Sequence, residues 1–146
     1  MTFIAKTFEE LSKEELYEIL KSRYEIFTIE QNIIYQDMDD VDLNALHCML
    51  TDGKRVAGYL RAFYTDESKK AVKIGRVLSL EHGKGIGTKL MNESMEAIKK
   101  RLGCKKILVN AQTQALGFYK LFGFKITSDE FDEAGIPHVK MELELE

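Results

Sequence analysis

The residues best suited to chemistry fall into three groups. The first is His82-Gly83-Lys84-Gly85-Ile86-Gly87-Thr88, with glycines at alternate positions and one lysine among them. It follows the apolar run Ile74-Gly75-Arg76-Val77-Leu78-Ser79-Leu80 and precedes Met91, Met95, Ile98 and Leu102, which lie on one helix face. A strand, a glycine loop and a helix in that order can hold an anion. The first N–H groups of a helix have no partner within it, and the macrodipole makes them attractive to negative charge. Glycine lets the backbone approach a phosphate closely and adopt positive φ. Lys84 adds a cation. Two common phosphate sites are excluded by spacing: a P-loop needs Gly before its Lys-[Ser/Thr], and neither Gly83-x-Gly85 nor Gly85-x-Gly87 continues as G-x-G-x-x-G. The remaining readings are a phosphate or pyrophosphate cradle of another kind, or a tight turn that binds nothing.

The second group is on Lys106 to Gln112 and the short helix after it. The strand carries Ile107, Val109 and Ala111 on one face, and Leu108, Asn110 and Gln112 on the other. Buried amides need partners, and a ligand can supply them. In the helix, Ala115, Phe118, Tyr119 and Phe122 recur at helical spacing before Gly123. Among these aromatics Tyr119 alone has a polar handle. It is either a core residue with a bonded hydroxyl or a phenol aimed at a ligand.

The third group is scattered. Arg61 sits between Tyr59 and Phe63 on one strand face, and is either exposed at an edge or held in a polar site. His47 and Cys48 are adjacent on a strand, so they point to opposite faces and cannot act as a pair. Neither Cys48 nor Cys104 has a visible His/Asp arrangement, which disfavours a covalent cysteine route. Asp37, Asp39, Asp40 and Asp42 crowd one stretch. Counting from Asp37, a calcium loop would need Gly where Asp42 stands and a closing Glu, so no metal site is expected. The stretch is either a solvated acidic loop or a lip that attracts a cationic amine.

These groups need a scaffold to bring them together. The chain has 146 residues, 45% of them hydrophobic, which suffices for one domain with a core. A net charge of -3 offers no general attraction to nucleic acid. No apolar run approaches the roughly 20 residues of a membrane span. Met1 to Glu10 lacks the basic-then-apolar pattern of an export leader, and two cysteines fit reduced thiols in a cytoplasm. Strands are expected at Thr2–Phe8, Ala45–Thr51, Arg55–Tyr64, Ile74–Leu80, Lys106–Gln112 and Val139–Leu145. Asp52-Gly53 predicts a type I′ hairpin turn. Ser12-Lys13-Glu14-Glu15 is a capping box opening a helix with Leu16, Leu20, Tyr24 and Phe27 on its stripe. Lys99, Lys100, Arg101 and then Gly103 close the helix after the glycine loop.

The loop His82 to Gly87 resembles the acetyl-coenzyme A loop of the GNAT N-acetyltransferases, [Gln/Arg]-x-x-Gly-x-[Gly/Ala], with His82 where that family has Gln or Arg. Phe118-Tyr119-Lys120-Leu121-Phe122-Gly123-Phe124 resembles the family's F-Y-x-x-x-G-F at every fixed position. Arg23 to Gln31, with Tyr35 and Asp39-x-x-Asp42, is similar to the ElaA-like branch's R-x-x-V-F-x-x-E-Q…Y-x-E-x-D-x-x-D. His47, Ile74-Gly75-Arg76-Val77, Ala111-Gln112 and Gly135-Ile136-Pro137-His138 match that branch further along.

The resemblance implies a single-domain α/β (α+β) GNAT fold over residues 1–146. A mixed, strongly twisted sheet would be flanked by helices and would gape between the fourth and fifth strands. It implies direct acetyl transfer from acetyl-CoA to a primary amine in a ternary complex. Leu78, Ser79 and Leu80 would pair with pantetheine, and a backbone N–H near Leu78 would stabilise the oxyanion. His82, Gly83, Lys84, Gly85, Ile86, Gly87 and Thr88 would hold the pyrophosphate, with Asn110 also beside the cofactor. Tyr119 would protonate the departing thiolate. Glu30, His47 and His138 are the candidate bases; Glu30 ranks first because the acidic segment it opens could also bind a cation, and His138 is equally readable as a structural histidine beside a proline turn. Arg61, Arg76, Gln112 and His47 would face the acceptor, a small molecule or a peptide amine. The rival reading is a non-catalytic acyl-CoA-binding module. No nucleic acid or membrane partner is expected, and the oligomeric state is open between monomer and homodimer.

Overall fold

The computed structural model describes residues 1–146. Strand β1 (Thr2–Thr7) leads to helix α1 (Lys13–Arg23). Ser12 caps α1 as the sequence predicts: its hydroxyl accepts from Glu15 N at 3.0 Å, and the Glu15 carboxylate accepts from Ser12 N at 2.8 Å. The helix continues as a wider π-helical turn, Tyr24–Glu30. Strands β2 (Leu46–Asp52), β3 (Arg55–Tyr64) and β4 (Ala71–Ser79) form an antiparallel meander. Helix α2 (Ile86–Arg101) crosses back to β5 (Lys106–Gln112), parallel to β4. A single 3-10 turn and the short helix α3 (Leu116–Lys120) follow, then β6 (Lys125–Ile126), β7 (Phe131–Glu133) and β8 (Ile136–Glu144). The eight strands make one mixed sheet in the order β1-β2-β3-β4-β5-β8-β6, with β7 also on β8.

Alternation along the strands builds two cores. Leu46, Cys48 and Leu50 of β2 face α2, joining Leu90, Met91 and Ile98. Met49 faces the other way, with Val56, Tyr59 and Leu78, under Ile19 and Ile26. Fully burying such a side chain is worth about 1.5–3 kcal/mol, so the register is strongly specified. Cys48 belongs to the first core, and burial pushes its thiol up to about 12. No helix is long and apolar enough to cross a membrane.

Two expectations about local geometry change. The hairpin at Asp52 is present, but among its turn residues only Gly53 has positive φ (63°), so the turn is not type I′. Both central residues are left-handed instead at Ala134 (56°) and Gly135 (78°), between β7 and β8, as a type I′ turn requires. In α1 and its π-helical continuation, the deepest positions are Ile19, Ser22, Arg23 and Ile26, while Tyr24 is exposed. Polar partners set this rotation: the Ser22 hydroxyl donates to Val56 O at 2.7 Å, and Arg23 reaches two aspartates.

A gap opens in the middle of the sheet. Strands β4 and β5 pair only from Ala71↔Lys106 to Ile74↔Val109. Beyond that point Gly75–Ser79 and Asn110–Gln112 diverge. The cause is on β4. Between Tyr59↔Leu78 and Arg61↔Gly75, β3 advances two residues while β4 advances three. The extra residue is a bulge containing Arg76, whose φ of 52° is left-handed. A bulge bends its strand and increases local twist, which carries the end of β4 away from β5.

Candidate functional site

The gap is the floor of a cavity of about 850 Å³. Its walls come from the π-helical turn, the loop after it, β3 to β5, the glycine loop, α3 and the β7–β8 hairpin. On one side β4 presents Gly75 to Ser79 with no strand paired to their β5 side. At the end of β4, Gly83 (φ 76°) and Gly85 (φ 74°) take conformations that strain any other residue. Gly85 is the N-cap of α2, and no side chain caps this helix. The N–H groups of Gly83, Gly85, Ile86, Gly87 and Thr88 donate to nothing in the chain. These uncommitted donors and the open β4 edge line one cavity. Gly58 brings this end close to the sheet: a Cβ there would meet Ile86 Cγ2 at 3.0 Å.

Tyr119 lies in the same cavity, only 6% exposed. Its ring packs edge-on against Phe118 and Phe124, with centroids at 5.3 and 5.8 Å. Its hydroxyl has no hydrogen-bond partner in the chain, and burial raises its pKa above the ordinary phenol value. The bonded hydroxyl of a purely structural tyrosine is therefore not seen.

The polar part of the cavity is built on an ionic network. Arg23 donates to Asp37 at 2.9 Å and to Asp42 at 2.8 Å. Arg61 donates to both oxygens of Asp39 at 2.7 Å and to Asp42 at 3.0 Å. Arg76 donates to the Asp37 side chain at 2.8 Å and to its carbonyl at 2.9 Å. Hydrogen bonds from Arg61 hold the Asp39 carboxyl down to about 2, against partial desolvation. Burial pushes the Asp42 carboxyl up, but hydrogen bonds from Arg23 and Arg61 outweigh it, and its pKa falls. The acidic stretch is thus largely paired with arginines, with Asp40 left exposed and unpaired. Three arginines neutralise Asp37, Asp39 and Asp42, and the apolar side chains of Ile34, Tyr35 and Met38 turn outward instead. Arg61 is held in a polar site, 4% exposed.

The chain matches the acetyltransferase (GNAT) domain family model over residues 6–145. The chain belongs to the GNAT family. A UPF0039 protein of Schizosaccharomyces pombe is 39% identical to it, over 99% of this chain and 98% of the relative. Protein ElaA of Escherichia coli is 34% identical over 93% of this chain and 92% of ElaA. The E. coli ElaA crystal structure superposes with a TM-score of 0.91, covering 98% of this chain and 99% of that one at 31% identity. An acyl-CoA N-acyltransferase from Pseudomonas aeruginosa gives a TM-score of 0.88 at 30% identity, covering 97% and 99%. The fold is that of GNAT acyltransferases, and the branch is ElaA-like.

Within this GNAT frame the candidate residues divide. Leu78, Ser79, His82, Gly83, Gly85, Ile86, Gly87, Thr88, Asn110 and Tyr119 all line the cavity, as do Arg61, Arg76, Gln112 and His138. Leu80 does not: its N–H bonds Ala57 O at 2.8 Å and its side chain packs against the second core. Lys84 stands exposed outside the wall. Glu30 is also off the cavity, with Oε1 3.7 Å from His82 Nε2, because the π-helical turn directs it toward the glycine loop. His47 is corrected most clearly. It is fully buried behind the cavity, with Nε2 2.9 Å from Asp42 O and Nδ1 2.6 Å from the Tyr59 hydroxyl. A carbonyl only accepts, so Nε2 carries the proton and Nδ1 accepts from Tyr59. Burial lowers its pKa. His47 supports Asp42 and does not reach a substrate. Sequence reasoning missed Glu133, which lines the cavity beside His138. Its only signal was proximity to the Gly135-Ile136-Pro137-His138 stretch.

Proposed function

We propose that the protein transfers an acetyl group from acetyl-CoA directly to a primary amine, both bound at once in this cavity. The observation that carries the reading is the run of uncommitted donors: an open β4 edge from Gly75 to Ser79, leading to free N–H groups at the glycine loop and the α2 N-terminus. These fit an extended amide-bearing arm ending in a pyrophosphate, which is the form of coenzyme A. The thioester supplies an activated acyl carbon. The chain supplies the rest. The β4 backbone near Leu78 orients the carbonyl and donates to the charge that develops on its oxygen. Tyr119 donates its hydroxyl hydrogen to the departing sulfur. The belt of Arg61, Arg76, Asp37 and Asp39 fixes the loop that covers the acceptor. Its balanced charges favour a compact amine over a polycation. Reduced Cys48 and Cys104 suit a cytoplasmic setting.

The test has two parts. Coenzyme A is expected to raise the melting temperature, because a ligand bound only by the folded state stabilises it. Thiol release from acetyl-CoA is then measured across amines, amino acid esters, peptides and polyamines. Stabilisation by coenzyme A without thiol release from any amine would point to a binding module. Stabilisation by ATP or NAD in its place would overturn the reading.

A further inference from the structure

The β7–β8 hairpin places two hydrogen-bond acceptors face to face. His138 is held rigidly. Its Nδ1 lies 2.7 Å from Ile136 O, and its ring stacks on Phe131, with centroids at 6.1 Å and an interplanar angle of 28°. A carbonyl oxygen has no hydrogen to give, so Nδ1 carries the ring proton and Nε2 of the neutral imidazole is bare. That bare nitrogen is 3.5 Å from Glu133 Oε2. Glu133 is positioned too: its other oxygen accepts from Asn110 Nδ2 at 2.9 Å. In that neutral form a carboxylate oxygen and an unprotonated nitrogen share an opening with no donor between them. Both residues line the cavity, with the Glu133 side chain half exposed and that of His138 8% exposed.

Two acceptors converging on one opening call for a group rich in N–H and carrying positive charge. The other carboxylates of this part of the cavity cannot serve, because Asp37 and Asp39 are committed to Arg23, Arg61 and Arg76. Asn110 and Gln112, the nearest side chains from β5, are uncharged, and Gln112 is bonded to Gln31 and Gln114. Glu133 has no basic side chain other than His138 against it.

We propose that Glu133 and His138 form the acceptor-amine site, Glu133 binding a primary ammonium and His138 Nε2 taking its proton. This rests on the acetyl-transfer reading above. The ammonium donates to Glu133 Oε2 and to His138 Nε2. One proton passes to Nε2, leaving a neutral amine and an imidazolium paired with Glu133. The amine lone pair forms the C–N bond to the thioester carbonyl carbon. As the C–S bond breaks, its electron pair stays on sulfur, and a second proton from the same nitrogen reaches that sulfur through Tyr119. His138 returns its proton to water. The products are the amide, the free thiol and one proton. Glu133 also names the substrate class: a primary ammonium, whose charge this carboxylate meets.

The first arm of the test needs no turnover. The chain has three histidines, so ring nitrogens labelled with 15N can be resolved and assigned. His138 is expected as the Nδ1–H tautomer, and methylammonium chloride should shift its Nε2 resonance where equal sodium chloride does not. E133Q should abolish that response and leave the coenzyme A melting shift intact. An Nε2–H tautomer, or a full methylammonium response in E133Q, overturns the proposal. The second arm is kinetic, with the best amine from the panel. E133Q should raise KM for the amine at least tenfold while KM for acetyl-CoA stays within twofold, and E133D should restore part of the loss. H138Q should lower kcat about a hundredfold or more, the scale of a lost general base. Wild-type amine KM in E133Q overturns the assignment. Absence of thiol release from the wild type would instead remove the acetyl-transfer reading, while the ring-nitrogen arm still decides whether this pair captures an ammonium.

Discussion

Tyr119→Phe separates chemistry from packing. Phe keeps the edge-on contacts with Phe118 and Phe124 and loses only a hydroxyl. That hydroxyl bonds nothing in the chain, so no protein hydrogen bond is removed. The stability change should therefore stay within about 0.5 kcal/mol, or roughly 2 °C for a chain of this size. The effect on rate follows from acidity. General acid help typically gives about a hundredfold to ten-thousandfold. Burial raises the Tyr119 pKa above the ordinary value, while a free thiol titrates near 8.5. The phenol is thus a weaker acid than the group it assists. Its benefit is mainly a charge-assisted hydrogen bond to developing thiolate, not a downhill proton transfer. The expected loss in kcat is about tenfold to a hundredfold, or roughly 1.4–2.7 kcal/mol. Thiol release under saturating acetyl-CoA, with a pre-steady-state trace to confirm that chemistry limits the rate, reads this directly. Melting curves with and without coenzyme A are run on the same preparation. A folded, coenzyme A-binding variant with wild-type single-turnover rate would refute the role. A variant that loses stability but not rate would show that the hydroxyl is structural.

Three further outcomes test the scaffold. Gly85→Val should abolish the melting shift with coenzyme A, because φ of 74° strains a β-branched residue and its side chain would stand in the anion path; an undiminished shift would mean that the loop does not carry the ligand. Arg23→Met leaves Asp42 buried without its main partner, and urea unfolding should show a loss of about 3–5 kcal/mol, whereas a loss below about 1 kcal/mol would mean that Arg61 alone satisfies Asp42. For Asp39 and Asp42 the folded pKa lies below the ordinary 3.8. Their stabilisation is therefore complete above about pH 4 and is lost as pH falls toward about 2, where Asp39 titrates in the folded protein. Urea midpoints flat across that window would show that the network adds nothing.

Much was determined locally. The capping box of α1, the glycine loop opening α2 and the alternation of Ile107, Val109 and Ala111 depend on neighbours in sequence, and all appear as read. Tyr119 was legible for the same reason: a lone polar handle in an apolar helix needs a partner, and the chain provides none. The tertiary structure decided wherever charges or strands distant in sequence had to meet. Four aspartates crowded between Asp37 and Asp42 look solvated until Arg23, Arg61 and Arg76 arrive from α1, β3 and β4 and pair with three of them. His47 looks reactive until β3 lays Tyr59 beside it. The gap needs a bulge at Arg76, which is a matter of register between β3 and β4, and no single strand records its partner's register. Glu133 faces His138 only because Ala134 and Gly135 both accept left-handed φ and fold β7 onto β8. Local patterns specify the elements, because propensity and capping act within a few residues. The chemistry of the site is set by long-range pairing, since a carboxylate's charge state depends on which cation is packed against it.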